Sequence, residues 1–162
     1  MLHFIKKKII FALTITRHIQ VLIMSKKIYF AGSIRGGRVD AELYNRMIKH
    51  MTAMGHVVLT EHVGSSKLCL QEHEGDGDRR IYEQDTSWLR ESDVLVAECT
   101  CPSLGVGYEL AYAEHHGKPV HIFYNRNKCQ LSAMLTGDSY FNIHPFTQEE
   151  EIFEMLNTIL AE

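Results

Sequence analysis

The chain has 162 residues, 45% hydrophobic and 23% charged, enough for one globular domain with a sizeable core. Residues 1–24 carry Lys6, Lys7, Lys8 and Arg17 and no acid, leaving 13 basic against 20 acidic residues in the remainder. That acidic body argues against a nucleic-acid-binding surface, but not against a small phosphorylated ligand held by backbone amides and a few arginines.

Residues 1–24 are apolar and basic, and the run Ile9 to Ile15 is too short to span a bilayer. They read as a non-core extension ahead of a domain covering residues 25–162, with a weak targeting segment as the alternative. Cys69, Cys99, Cys101 and Cys129 make no CxxC pair, and the ten His show no HExxH spacing. Reduced thiols, no metal and no cofactor are therefore expected.

Lys27 to Ala31 predicts a buried first strand. The loop Gly32-Ser-Ile-Arg-Gly-Gly-Arg38 follows and fits neither a Walker A loop nor G-x-G-x-x-G. Its glycines still permit a nest of N–H groups for an anion, and Arg35 and Arg38 could add charge-assisted bonds. Leu43, Tyr44, Met47, Ile48, Met51 and Met54 recur at helical spacing as a core stripe, ended by Gly55. His56 to His62 predicts a second strand, and His62 at its end is either a ligand contact or a polar strand end. Gly64 to Asp78 reads as a mobile loop, a lid or plain slack.

Asp78 to Glu91 predicts a helix with an apolar face of Ile81, Trp88 and Leu89. Asp85 falls on that same face, where burial would raise its pKa. Asp93 to Cys99 predicts a buried strand, Leu110 to His116 a helix, and Val120 to Tyr124 a further strand. Between strand and helix lies Ser103-Leu-Gly-Val-Gly-Tyr-Glu109. That handover is the carboxyl edge of an open sheet, where ligands bind. Ser103 to Gly107 reads as part of a ligand cradle. Glu109 reads as a candidate nucleophile kept ionised near a helix start, or as an ordinary solvated Glu. The repeated strand–loop–helix order implies an α/β fold: one doubly wound, flavodoxin- or Rossmann-like parallel sheet with helices on both faces. Ser132 begins a short helix, and Thr147-Gln-Glu-Glu150 predicts a capping box before a closing structural helix.

Three stretches in this order and spacing, Tyr29 to Arg38, Glu83-Gln-Asp85 and Pro102 to Glu109, resemble the 2′-deoxynucleoside 5′-phosphate N-hydrolases. These belong to the nucleoside 2-deoxyribosyltransferase superfamily, and Leu131-Ser-Ala-Met134 matches their pattern as well. The resemblance runs from about Lys27 to about Leu160. It implies cleavage of the N-glycosidic bond of a deoxynucleoside 5′-monophosphate, giving free base and 2-deoxyribose 5-phosphate. It implies Glu109 as nucleophile, Asp85 as second catalytic carboxylate and Tyr29 as active-site tyrosine. Gly32, Ser33, Ile34, Arg35, Gly36 and Gly37, with Ser103 and Gly105, would bind substrate. Ser132 would reach the phosphate of a neighbouring subunit in a homodimer. No nucleic-acid or membrane partner is expected, and a cytoplasmic or nuclear location is, with targeting by residues 1–24 left open. Residues 1–24 have no counterpart in the resemblance, and the loop from Gly64 to Gly77 matches poorly. The alternatives are a deoxyribosyltransferase that passes the sugar to a second base, a non-catalytic nucleotide-binding module, and a flavin-binding protein.

Overall fold

The computed structural model describes residues 25–34, 39–64 and 76–161. Residues 1–24, 35–38, 65–75 and 162 lie outside them, and with them Cys69 and most of the stretch read as a mobile loop. Five strands form one all-parallel sheet: β1 (Lys27–Gly32), β2 (Val57–Val58), β3 (Val94–Glu98), β4 (Val120–Asn125) and β5 (Asn142–Phe146). The spatial order β2-β1-β3-β4-β5 is the flavodoxin-like winding, with its switch point between β1 and β3. The expected α/β sheet is therefore the one found.

Parallel strands need crossovers, and amphipathic helices supply them. Helix α1 (Ala41–Ala53) buries Leu43, Tyr44, Met47, Ile48 and Met51. With α5 (Glu149–Leu160) it covers Ile28, Phe30, Val94, Val96 and Phe123 on one sheet face. On the other face, Leu89 from α2 (Gly77–Glu91) and Val106, Leu110 and Ala113 from α3 (Leu104–His115) cover Tyr29, Ala31, Leu95, Ala97 and Ile122. Strand alternation divides β1 and β3 between the two cores. Gly55 and Gly117 close α1 and α3 at φ values of 96° and 65°, where glycine is the unstrained residue.

Four local expectations are corrected. The second strand is only Val57–Val58, because the Thr60 hydroxyl takes over the ladder, accepting from Phe30 N at 2.8 Å and donating to Phe30 O at 2.7 Å. Helix α3 starts at Leu104, since the Ser103 side chain caps it by accepting from Val106 N at 3.4 Å. The capping box of α5 is Gln148 with Glu151, one residue later than predicted. Strand β5, which sequence reading did not anticipate, pairs with β4 as an edge and so tolerates Pro145. Short helix α4 (Ala133–Thr136) begins after Ser132 as predicted.

Candidate active site

The carboxyl ends of β1 and β3, with α2 and α3 above them, bring three of the predicted residues together. Tyr29 points from β1 into the α2/α3 face and is 2% exposed. Its hydroxyl donates to Glu109 Oε1 at 2.8 Å, across 80 residues of sequence. Burial holds the Tyr29 hydroxyl well above its ordinary pKa, and the charges of Glu109 and Asp85 add to that. It is therefore a fixed donor, and it orients the Glu109 carboxyl.

Glu109 does not sit in the first turn of its helix, which holds no acid. The earlier start of α3 places it in the second turn, where the dipole has little hold. Burial raises its pKa to about 7; the Tyr29 bond pulls down and the Asp85 charge pushes up. The expectation of a carboxylate kept ionised by a helix start is thus replaced by a desolvated acid that titrates at neutrality. Asp85 lies half-buried on α2, as the stripe predicted, with burial raising its pKa to about 6. Ile81, by contrast, is 48% exposed, because α2 runs from the carboxyl edge downward and packs its lower turns, Trp88 and Leu89.

At the ligand-cradle end, Ser33 is fully buried and its Oγ has no partner among the described residues. An orphaned buried hydroxyl is costly unless a ligand completes it. Ile34 packs its side chain on the α1/α5 core. Gly32 has a packing reason: a Cβ there would stand 2.8 Å from Tyr44 Cε2. Gly105 and Gly107 have neither a positive φ nor a close neighbour; a Cβ on Gly105 would meet only Ser103 Oγ, at 3.7 Å, and one on Gly107 nothing within 4 Å. Glycine inside a helix costs roughly 0.5–1 kcal/mol relative to Ala. The space left above these two residues is room for a ligand at the helix N-terminus. Arg35, Gly36 and Gly37 fall outside the described residues. Ser132 is exposed, and its hydroxyl accepts from Met134 N at 3.3 Å. The His62 ring lies 5.6 Å from that of Trp88, tilted by 40°.

A sequence model of the nucleoside 2-deoxyribosyltransferase family matches residues 28–147, which contain every described residue of this site. The chain belongs to that family. Among relatives, it is 50% identical over 130 residues to a 5-hydroxymethyl-dUMP N-hydrolase of Tetraodon nigroviridis, covering 76% of this chain and 90% of that one. To the 5-hydroxymethyl-dUMP N-hydrolase of Mus musculus it is 46% identical over 128 residues, 76% of this chain and 73% of that one. The fold also matches a CMP N-glycosidase of Clostridium botulinum, with a TM-score of 0.59 at 16% identity, over 82% of this chain and 99% of that one.

Within the family frame, sequence reading overlooked one buried acid. Glu98 ends β3 at 0% exposure, with Oε2 lacking a partner among the described residues. The signal was a carboxylate inside an otherwise apolar strand.

Proposed function

We propose that this chain hydrolyses the N-glycosidic bond of 2′-deoxynucleoside 5′-monophosphates, releasing free base and 2-deoxyribose 5-phosphate. The observation that carries the reading is the Tyr29–Glu109 hydrogen bond, which holds a desolvated carboxyl in a fixed orientation. The names of the relatives favour a deoxynucleotide substrate.

In the reaction, ionised Glu109 attacks C1′ while the bond to the base breaks, and the base leaves with that electron pair and is protonated from solvent. Glu109 stabilises the oxocarbenium-like transition state and then carries the sugar as an ester. Asp85, ionised above a pH of about 6, takes the proton of the water that cleaves this ester. Tyr29 keeps Glu109 aimed. Ser33, Ser103 and the N–H groups opening α3 hold the phosphate, whose remote binding energy fixes the sugar during reaction. The domain is residues 25–162, and it works as a homodimer in which the exposed Ser132 serves the neighbouring phosphate site.

The family name keeps transfer to a second base as the other reading. The test is base release from each deoxynucleoside 5′-monophosphate, beside ribonucleotides and unphosphorylated deoxynucleosides, with and without a free acceptor base. Release from deoxynucleotides alone, unaffected by acceptor, supports hydrolysis. New nucleotide formed on the acceptor at the expense of sugar phosphate would favour transfer.

A further inference from the structure

Glu98 belongs to no step of that chemistry. Strand alternation puts it with Val94 and Val96 on the α1/α5 face of the sheet, opposite to the face covered by α3, which carries Glu109. Its Oε1 accepts the Thr100 hydroxyl and, at 3.2 Å, the Thr100 N–H. The Thr100 hydroxyl oxygen in turn accepts from Asn125 N at 2.8 Å. In the β1–β3 register Glu98 stands directly across from Gly32. One residue on, the Ser33 N–H donates to the Tyr44 hydroxyl at 3.3 Å. The Tyr44 ring fills the position that a Gly32 side chain would occupy. Burial raises the Tyr44 pKa, and the Glu98 charge adds to that rise. Glu98, Tyr44 and Ser33 are thus one contiguous layer beneath the first residue of the phosphate cradle.

A fully buried carboxyl with one oxygen unpartnered among the described residues favours the neutral form. Ionised, it would put a buried negative charge one strand away from a phosphate dianion. We propose that Glu98 is a positioning residue for the phosphate end of the site, acting in its neutral form through Tyr44 on Ser33, so that phosphate binding draws a proton onto it. This rests on the deoxynucleotide reading above.

The facing groups are Asp40 and Tyr44 at the start of α1, Cys99 and Thr100 after β3, Asn125 at the end of β4, and Lys128 and Cys129 from the β4–β5 connection. Lys128 Nζ lies 3.6 Å from Asp40 Oδ1. Burial raises Glu98 to about 7; Asp40 adds to the rise, while the Thr100 bonds and Lys128 oppose it. Tyr44, Cys99 and Cys129 are all displaced upward from their ordinary values. A bound dianion raises the Glu98 pKa further. Below a pH of about 7 the acid is already neutral and adds no pH dependence. Between the free and bound values, binding takes up a proton and affinity falls as pH rises.

The test is calorimetric binding of a deoxynucleoside 5′-monophosphate at pH 8, in two buffers of different ionisation enthalpy. The protein is the full chain carrying Glu109→Gln, with and without Glu98→Gln. At that pH the phosphate is already a dianion, its second pKa being about 6. The expected result is an uptake of up to one proton that disappears with Glu98→Gln. Nucleotide affinity in the background variant should fall by as much as about tenfold per pH unit above neutrality, and stay level in the double variant. The unphosphorylated deoxynucleoside should show no uptake in either. Uptake that persists in Glu98→Gln, or no uptake at all, overturns the proposal while leaving hydrolysis intact. Binding of neither ligand overturns both readings. Should Glu98→Gln not fold, Tyr44→Phe decides: it should weaken nucleotide binding several-fold more than nucleoside binding, and equal weakening of both overturns the proposal.

Discussion

The two ends of the sheet bury opposite kinds of titratable group. Toward the amino ends of the strands and along the β4–β5 pair lie histidines: His121 Nδ1 and His144 Nε2 are 3.0 Å apart, and the Lys26 N–H donates to His56 Nδ1 at 3.2 Å. Burial lowers all three, His121 to about 4. At the carboxyl ends lie acids, Asp85, Glu98 and Glu109, all raised by burial toward neutrality. Desolvation drives both sets toward their uncharged forms. The difference is in what completes them. The histidines bond to one another and to backbone, as parts of the scaffold do. The carboxyl end leaves Ser33 Oγ and Glu98 Oε2 without partners among the described residues. Unused hydrogen-bonding capacity and near-neutral acids together mark a site that a ligand completes.

That contrast ranks the expected effects of substitution. Glu109→Gln should lower base release by about a thousandfold or more, since it removes the proposed nucleophile; initial rates on a deoxynucleotide check it. Tyr29→Phe should lower kcat by roughly 10–100-fold. Because the Tyr29 bond pulls the Glu109 pKa down, its loss should also move the acid limb of the pH–rate profile to higher pH. In the wild type, kcat/KM should rise with pH through about 7 as Glu109 ionises.

A stability effect of the same origin follows. The folded-state pKa of Glu109 lies above its ordinary value, so stability is lost as pH rises from that value through about 7. Glu109→Gln should therefore stabilise the fold at pH 8, by about 3 kcal/mol, and far less at pH 4. Denaturant midpoints at the two pH values measure it. The smallest effect belongs to the other end of the sheet. His121 has a lowered folded pKa, so its contribution is lost as pH falls from the ordinary imidazole value through about 4. His121→Phe should blunt acid unfolding and leave base release unchanged.

Much of this arrangement was legible in the sequence because it rests on local rules. Alternating strands and helices gave the winding, and the helical stripe placed Asp85 on the inner face of α2. Other features depend on tertiary detail that periodicity does not carry. The early start of α3 hid behind Leu104, which is 97% exposed, and two glycines, so Glu109 was read as a first-turn carboxylate. Glu98 was absorbed into an apolar run, although its position across from Gly32 gives it a neighbourhood of its own. Tyr44 read as core packing, which it is, yet its hydroxyl also holds Ser33. Thr60 shortened β2 by substituting a side chain for a ladder bond, which no hydropathy pattern reports.

The nucleophilic role of Glu109 is best examined by rapid quenching of a deoxynucleotide reaction, followed by peptide mass analysis. A sugar-phosphate ester on the peptide containing Glu109, formed and lost at rates that match turnover and missing from Glu109→Gln, is the expected result. Full base release by Glu109→Gln, or an adduct on a different residue, would contradict it.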